Sequence, residues 1–186
     1  AKAGRSKPLY CCCVDYSAAF DGVVRKKFWQ KLKRWNIAPS LLRAISSLYQ
    51  DTWLRLKLSA STVSKEIRTT QGLKQGCVLA PLFNLYTADL GQALNQASLI
   101  IARLGSNKLA LLQYADDLVL LDHPKVGLQR ALRGLHQYNM LNDLKANRGN
   151  TKVMIFGKHK NKHQLSCHLG PDCIETFRCY CYLGIW

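Results

Sequence analysis

Apolar residues recur along this chain with two different periods, and the periods divide it into short strands and amphipathic helices. Residues 9–16 are almost wholly apolar and carry Asp15 near their end, which predicts a buried strand presenting an acid at its C-terminal end. Beyond Asp21-Gly22, segment 23–35 places Val24, Phe28, Leu32 and Trp35 at helical spacing among Arg25, Lys26, Lys27, Lys31, Lys33 and Arg34. That is the stripe of a helix with one face in a core. Pro39 opens a second helix through Leu41, Leu42, Ile45 and Leu48, because a proline is well suited to a first helical position. Segments 53–58 and 63–69 alternate apolar and polar residues on either side of Ser59-Ala60-Ser61-Thr62, as a hairpin does.

A loop at 71–77 carries Gly72 and Gly76 and feeds a helix read from Val78 through Leu79, Leu82, Phe83, Leu85, Tyr86 and Leu90, with Pro81 near its start. Strands at 109–114 and 118–122 meet at Ala115-Asp116-Asp117. A helix at 126–144 sets Leu128, Ala131, Leu132 and Leu135 on one face, and late strands are expected at 153–156 and 180–185. The order favours an α+β fold, a largely antiparallel sheet with helices packed on one face. No repeat or low-complexity linker divides the 186 residues, so 1–186 reads as one domain, long enough to bury roughly 70% of the surface its unfolded form exposes.

Charge then narrows the partner. Lys+Arg 27 against Asp+Glu 11 leave a formal +16, the footprint of a protein that meets a polyanion. Nucleic acid leads over an anionic membrane because the cations are spread over many segments. The longest apolar runs, at 109–112 and 118–121, are far short of a membrane span, so a soluble protein with no membrane partner is expected. Eight cysteines, contiguous at 11–13 and without a signal peptide, fit a reducing compartment better than a disulfide framework. A chain that opens on Ala1 and stops at Trp186 is expected to be a piece of something longer.

The acids supply the chemistry. If the strand carrying Asp15 neighbours the strand tip carrying Asp116 and Asp117, the carboxylates share one small volume, where repulsion is severe without a cation. Mg²⁺ suits such a place, since it takes oxygen ligands and is usually held by one or two carboxylates plus substrate phosphates. Two ions about 3.5 to 4 Å apart can activate an attacking hydroxyl and stabilise the leaving oxygen of an in-line displacement. An Asp pair between strands is also ordinary turn chemistry; the second acid at a strand end and the glycine-marked loop between them favour the metal.

Three segments resemble one family. Asp15-Tyr16-Ser17-Ala18-Ala19-Phe20-Asp21, Gln75-Gly76-Cys77-Val78-Leu79-Ala80-Pro81 and Tyr114-Ala115-Asp116-Asp117 are similar to motifs A, B and C of reverse transcriptases of the non-LTR, LINE-like retrotransposon kind. Residues 147–156 look like motif D and Tyr182-Leu183-Gly184 like the motif E primer grip. The resemblance implies an RNA-directed DNA polymerase: a palm-like antiparallel sheet with part of the fingers, most of the fingers and the whole thumb being missing. It implies two Mg²⁺ ions, with Mn²⁺ as a substitute, an RNA template, a DNA primer, dNTP, and an endonuclease domain elsewhere in the full-length protein. It also implies an intracellular site of action, in the nucleus after synthesis in the cytoplasm. By position, Asp15, Asp116 and Asp117 match the catalytic acids, and the main-chain carbonyl of Tyr16 would also face a metal. Tyr16, Ser17, Ala18, Ala19, Phe20, Gln75, Gly76 and Lys152 would meet the nucleotide, with Phe20 as the aromatic gate against a 2′-hydroxyl. Tyr114, Tyr182, Leu183 and Gly184 would meet the primer.

The chain departs from that pattern in two places. Only Leu82 separates Pro81 from Phe83, where many relatives have two residues, and one lost residue turns a helix by about 100°. Asn150 stands where relatives commonly carry the motif D lysine, and Lys152 shares its strand face by period two. The alternative reading is an inactive or degenerate fragment that keeps only basic RNA or DNA binding. An RNA-recognition domain would need a base-stacking signature that is missing here. His163, Cys167, His168, Cys173, Cys179 and Cys181 cluster late in the chain, but no Cys-x-x-Cys pair occurs, so they read as thiols rather than a zinc site. The basic runs at 25–27 and 158–162 read as solvated faces.

Overall fold

Leu9–Val14 is a strand because its residues are apolar or small and all but the first are buried, as expected of a strand with a neighbour on each side. The computed structural model describes residues 8–96, 102–104, 107–109, 111–157 and 166–184. Its elements in chain order are β1 (Leu9–Val14), α1 (Arg25–Arg34), α2 (Pro39–Ser47), β2 (Trp53–Leu54), β3 (Ile67–Arg68), α3 (Pro81–Thr87), α4 (Leu90–Gln96), β4 (Ala102–Leu104), β5 (Asn107–Leu109), β6 (Leu111–Tyr114), β7 (Asp117–Asp122), α5 (Lys125–Asn142), β8 (Lys152–Phe156), β9 (Cys167–Leu169) and β10 (Asp172–Ile174). They group into two compact units, one of Ala1–Ala19 with Thr87–Trp186, the other of Phe20–Tyr86.

The first unit is built on a four-stranded sheet of order β6-β7-β1-β8, antiparallel throughout. Alternation along β1 gives its two faces different partners. Tyr10, Cys12, Val14 and, just past the strand, Tyr16 share one face, and the Tyr16 hydroxyl donates to Asn139 Oδ1 of α5 at 2.7 Å. That contact fixes which face α5 covers, and its Leu128, Ala131, Leu132 and Leu135 are buried there. Cys11 and Cys13 point the other way, where they pack with Val119, Leu121, Met154, Tyr180 and Tyr182. The helix side of the sheet is thus the drier one, and among the described residues the opposite side is roofed by the C-terminal segment. Near the start of α5, Gly127 is required because a Cβ there would run into the carboxylate of buried Asp122.

The second unit has its own core. Phe28 meets Tyr86 edge to face, with centroids 6.0 Å apart, and Phe20 stacks on Phe83 at 4.8 Å. Arg25 ties its loops together: Nε donates to the Gly72 carbonyl at 2.8 Å and Nη1 to the Tyr49 and Thr69 carbonyls, each at 3.0 Å. Buried Lys31 donates to the Tyr86 carbonyl at 2.7 Å, a cation satisfying the end of a helix.

Several predicted elements shift. Residues 78–80 form a turn, with Val78 93% exposed, and the helix begins only at Pro81. A proline lacks the N–H that an interior position needs. That helix also stops at Thr87 and resumes at Leu90 across a turn. The expected 53–69 hairpin is a two-pair ladder plus an isolated Lys57–Val63 bridge, because alternation there has no core beneath it; Trp53, Leu54, Leu56 and Val63 are exposed. Leu109 belongs to β5, and β6 starts at Leu111. Residues 180–184 are not a strand: Tyr182 is a single bridge residue, and Leu183 (φ 49°) and Gly184 (φ 80°) turn the chain. Ile185 lies outside the described residues. The strand expected at 153–156 is β8, and in place of one at 180–185 the chain has the β9–β10 pair, which turns on Gly170-Pro171.

Replacing Tyr16 by Phe leaves the Asn139 oxygen buried without its donor, which costs about 1–3 kcal/mol. Thermal denaturation is expected to show a fall of roughly 2–4 °C for each kcal/mol lost; an unchanged midpoint would mean that the hydroxyl does not hold β1 to α5.

Candidate active site on the sheet rim

The β1–β7 register determines where the acids fall. Cys13 faces Val119 and Val14 faces Leu118, so one further step sets Asp15 across from Asp117. Both lie in phase with Cys13 and Val119, hence on the side away from α5. Tyr114 pairs with Asp117 across a two-residue turn of Ala115 and Asp116. Ala115 carries the left-handed φ, 52°, as hairpin turns of this length demand of at least their first residue. Asp116 therefore sits at the tip, beside the other two acids.

The electrostatics agree. The Asp117 carboxyl is held above the usual carboxylate range, first by burial and then by repulsion from Asp116 and Asp15. Burial, then Cys13, Asp15 and Asp117, push the Tyr180 hydroxyl up to about 12. Tyr182 is raised in the same way, by burial and by Asp117. The C-terminal segment thus lies against the acids as well as the apolar patch. In a chain of formal charge +16, none of the three acids forms an ion pair among the described residues.

Asp15 is positioned by neutral groups. Its Oδ2 accepts from Asn147 Nδ2 at 3.1 Å and Asn150 Nδ2 at 2.9 Å, and its main-chain oxygen accepts from Asn147 N at 2.8 Å. Asn147 is itself fixed, its Oδ1 accepting from Gly149 N at 3.0 Å and its carbonyl from Thr151 N at 2.8 Å. Among the described residues, Oδ1 of Asp15 accepts no hydrogen bond. Ser17 N donates to the Lys145 carbonyl at 2.8 Å, around an antiparallel Tyr16–Ala146 bridge. In that pattern Tyr16 turns its own carbonyl to the opposite edge, the β7 side where the acids are.

The donor set fits a shared divalent ion rather than a closed cage. Among the described residues, no three His, Cys, Asp or Glu side chains close on one point, while the carboxylates of Asp116 and Asp117, Oδ1 of Asp15 and a carbonyl, none of them in an ion pair, face one rim. Oxygen donors that leave room for phosphate are what Mg²⁺ takes.

The remaining predicted residues are distributed as follows. Tyr114 is 66% exposed at the end of β6. Ser17 and Ala18 are exposed, Ala18 with φ 47°, and Ala19 is buried. Leu183 and Gly184 are exposed in the turn after Tyr182. Lys152 stands opposite Cys13 on β8, but its ammonium is bonded to Glu175 Oε2 at 2.8 Å and lies over the Phe177 ring. In the second unit, Phe20 is buried against Phe83, whereas Gln75 and Gly76 are exposed, Gly76 with φ 71° and open space around it. The 158–162 run and His163 lie outside the described residues. Sequence reasoning missed the amide clamp of Asn147 and Asn150, although two asparagines three apart before a strand are a usable sign of loop hydrogen bonding. Tyr180 was missed as well, with no local signal to find it.

Because Asp117 binds its proton more tightly folded than unfolded, stability falls as pH rises from the ordinary aspartate pKa, about 3.9, through the raised folded value. With divalent ions chelated, Asp117→Asn is expected to melt above the wild type at pH 7 and to converge with it below about pH 4. A variant less stable than wild type at pH 7 would overturn the repulsion.

Comparison with known proteins agrees with this geometry. The family model described as "Reverse transcriptase (RNA-dependent DNA polymerase)" matches residues 2–185. The chain is 32% identical over 127 residues to the retrovirus-related Pol polyprotein from type-1 retrotransposable element R2 of Nasonia vitripennis, covering 68% of this chain and 12% of that protein. It is 27% identical over 135 residues to the R2 polyprotein of Popillia japonica, covering 72% and 19%. The chain therefore spans between about a tenth and a fifth of these relatives. Apo telomerase from Candida tropicalis, truncated from its C-terminal domain, shares the fold with a TM-score of 0.61 at 14% identity, over 94% of this chain and 36% of that one.

Proposed function

Since the chain belongs to the reverse transcriptase (RNA-dependent DNA polymerase) family, we propose that its carboxylate rim joins deoxynucleotides to a primer 3′-hydroxyl on an RNA template, as the palm, with part of the fingers, of a non-LTR retrotransposon polymerase. The observation that carries this reading is the β1–β7 register, which brings Asp15 opposite Asp117 with Asp116 at the adjoining tip. The likeness to R2 polyproteins supports the type of element.

In this reaction the 3′-oxygen bonds to the α-phosphorus of a dNTP and the bond to pyrophosphate breaks. Asp15, Asp116 and the Tyr16 carbonyl would hold Mg²⁺, with Asp117 in support. When bound, divalent ions sharpen the attacking oxygen and neutralise charge on the leaving one. The chain's own residues do the rest. Asn147 and Asn150 hold one oxygen of Asp15 through neutral donors, which orients the carboxylate without cancelling its charge. Tyr114, exposed beside the acids, and the Tyr182–Gly184 turn face the primer terminus. Lys152 reaches a triphosphate only when its pair with exposed Glu175 opens.

In the full-length protein, Asp15→Asn and Asp116→Asn are each expected to lower primer extension by at least about 10³-fold, the scale of losing a main electrostatic element of a reaction centre, while RNA binding persists. Extension at the wild-type rate in either variant would remove the proposal. Asn150→Ala, at an exposed position, is expected to raise the Mg²⁺ concentration needed for half-maximal rate several-fold with the melting temperature unchanged; a loss of rate with no change in Mg²⁺ dependence would show that the clamp does not act through Asp15.

A further inference from the structure

We propose that the groove between α5 and the β9–β10 hairpin is a second nucleic-acid contact, gripping a phosphodiester backbone on the side of the sheet away from the carboxylate rim. It goes beyond the reaction proposed above and does not require it. The groove has a volume of about 520 Å³, and its polar wall comes from Lys125, Arg133, His136, Gln137, Ser166 and His168. No carboxylate lines it. It lies behind the sheet because α5 covers the Tyr16 face, whereas Asp15 and Asp117 project from the other.

The walls are held in place by contacts that leave the cations free. Gln129 Nε2 donates to the His168 carbonyl at 2.7 Å, and His168 N donates back to Gln129 Oε1 at 2.9 Å. This two-way clamp fixes β9 to the helix. His136 sits over the turn at Gly170, where φ is +61° and a Cβ would strike the imidazole. Neither Lys125 nor Arg133 is in an ion pair among the described residues. Both are exposed, so their charge is available.

Spacing and chemistry point to a backbone. Lys125 and Arg133 stand two helical turns apart on one stripe, about 12 Å along the axis at 1.5 Å per residue. Over that length one strand of a duplex presents three or four phosphates at about 3.4 Å each. Cations, imidazoles and a hydroxyl with no Phe, Tyr or Trp among them suit phosphate oxygens rather than a base-stacking platform. Contact of this kind is insensitive to sequence and falls steeply with salt.

The test measures binding of fluorescein-labelled 20-nucleotide RNA and DNA to the 186-residue chain in EDTA across a salt series. Three proteins are compared: wild type, Lys125→Ala/Arg133→Ala, and Lys57→Ala/Lys65→Ala, which makes the same charge change at exposed sites on the β2–β3 hairpin. The groove variant is expected to bind about tenfold more weakly near 0.1 M salt and to lose about 1.4 from the log–log salt slope, at about 0.7 per single-strand phosphate contact. Photo-crosslinked RNA should map to peptides within 125–137 in the wild type and in the hairpin variant, and should be lost from the groove variant. Equal losses in both variants would reduce the groove to non-specific charge, and an unchanged groove variant would remove it. Displacement of RNA by poly-glutamate together with an absent crosslink would assign the groove to an acidic protein and overturn the proposal. RNA and DNA binding alike supports a backbone grip; DNA alone would exclude a role with the template. Circular dichroism of each variant keeps loss of fold separate from loss of binding.

Discussion

Everything at the candidate site depends on one unfavourable interaction. An antiparallel register between β1 and β7 brings like charges to the same rim, and among the described residues no Lys or Arg pairs with them. That repulsion adds to burial in raising the Asp117 carboxyl above its ordinary range, and it favours a divalent cation as the partner. A structural role would be served better by an arginine, of which the sequence has plenty. The arrangement instead keeps an open anionic corner on an otherwise cationic molecule. Neutral amides from Asn147 and Asn150 orient Asp15 there without offsetting its charge.

The sheet makes this corner affordable by dividing its two faces between different tasks. The Tyr16 face carries the packing: α5 buries its apolar stripe on it, and the Tyr16–Asn139 hydrogen bond pins the last residues of the strand where the acid follows. The Cys13 face carries the acids, and its covering is partial, with Tyr180 and Tyr182 laid over Cys11, Cys13 and Val119. Period-two alternation enforces this division, because no residue of a strand can face both ways. Stability is therefore concentrated behind the rim, and the rim itself is left accessible to substrate-sized groups.

How much of this could be read from the sequence follows from where each signal resides. The strand ending on Asp15 and the hairpin tip at Asp116-Asp117 were legible, since apolar runs bounded by turn residues are local, and so were α1, α2 and α5. The pairing of β1 with β7 was not, because two runs more than a hundred residues apart carry no mark of register; only the requirement that the acids meet suggested it. The 53–69 hairpin was over-read, since alternation signals a strand only where one face has a core to bury. Helix α3 was started too early because apolar spacing continues through Val78, while Pro81 decides where hydrogen bonding can begin. The strands β9 and β10 are three residues each, below what any periodicity resolves. The amide clamp escaped because asparagines before a strand announce a loop and not what the loop will hold.

The same division of faces bears on the net charge. A chain of +16 attracts a polyanion almost anywhere except at its anionic corner, so long-range charge alone cannot bring a nucleic acid to the rim in a defined way. Placement has to come from fixed contacts. The helix layer supplies one: Lys125 and Arg133 are held at a set spacing by the backbone of α5, and the Gln129–His168 clamp fixes the opposite wall. Cations on a rigid helix lose little conformational freedom when a phosphate arrives, whereas those on loops must be ordered first. A groove built in this way and turned away from the acids can hold a strand without competing for the ions that the proposed reaction would need, and its phosphates stay clear of repulsion from the carboxylates.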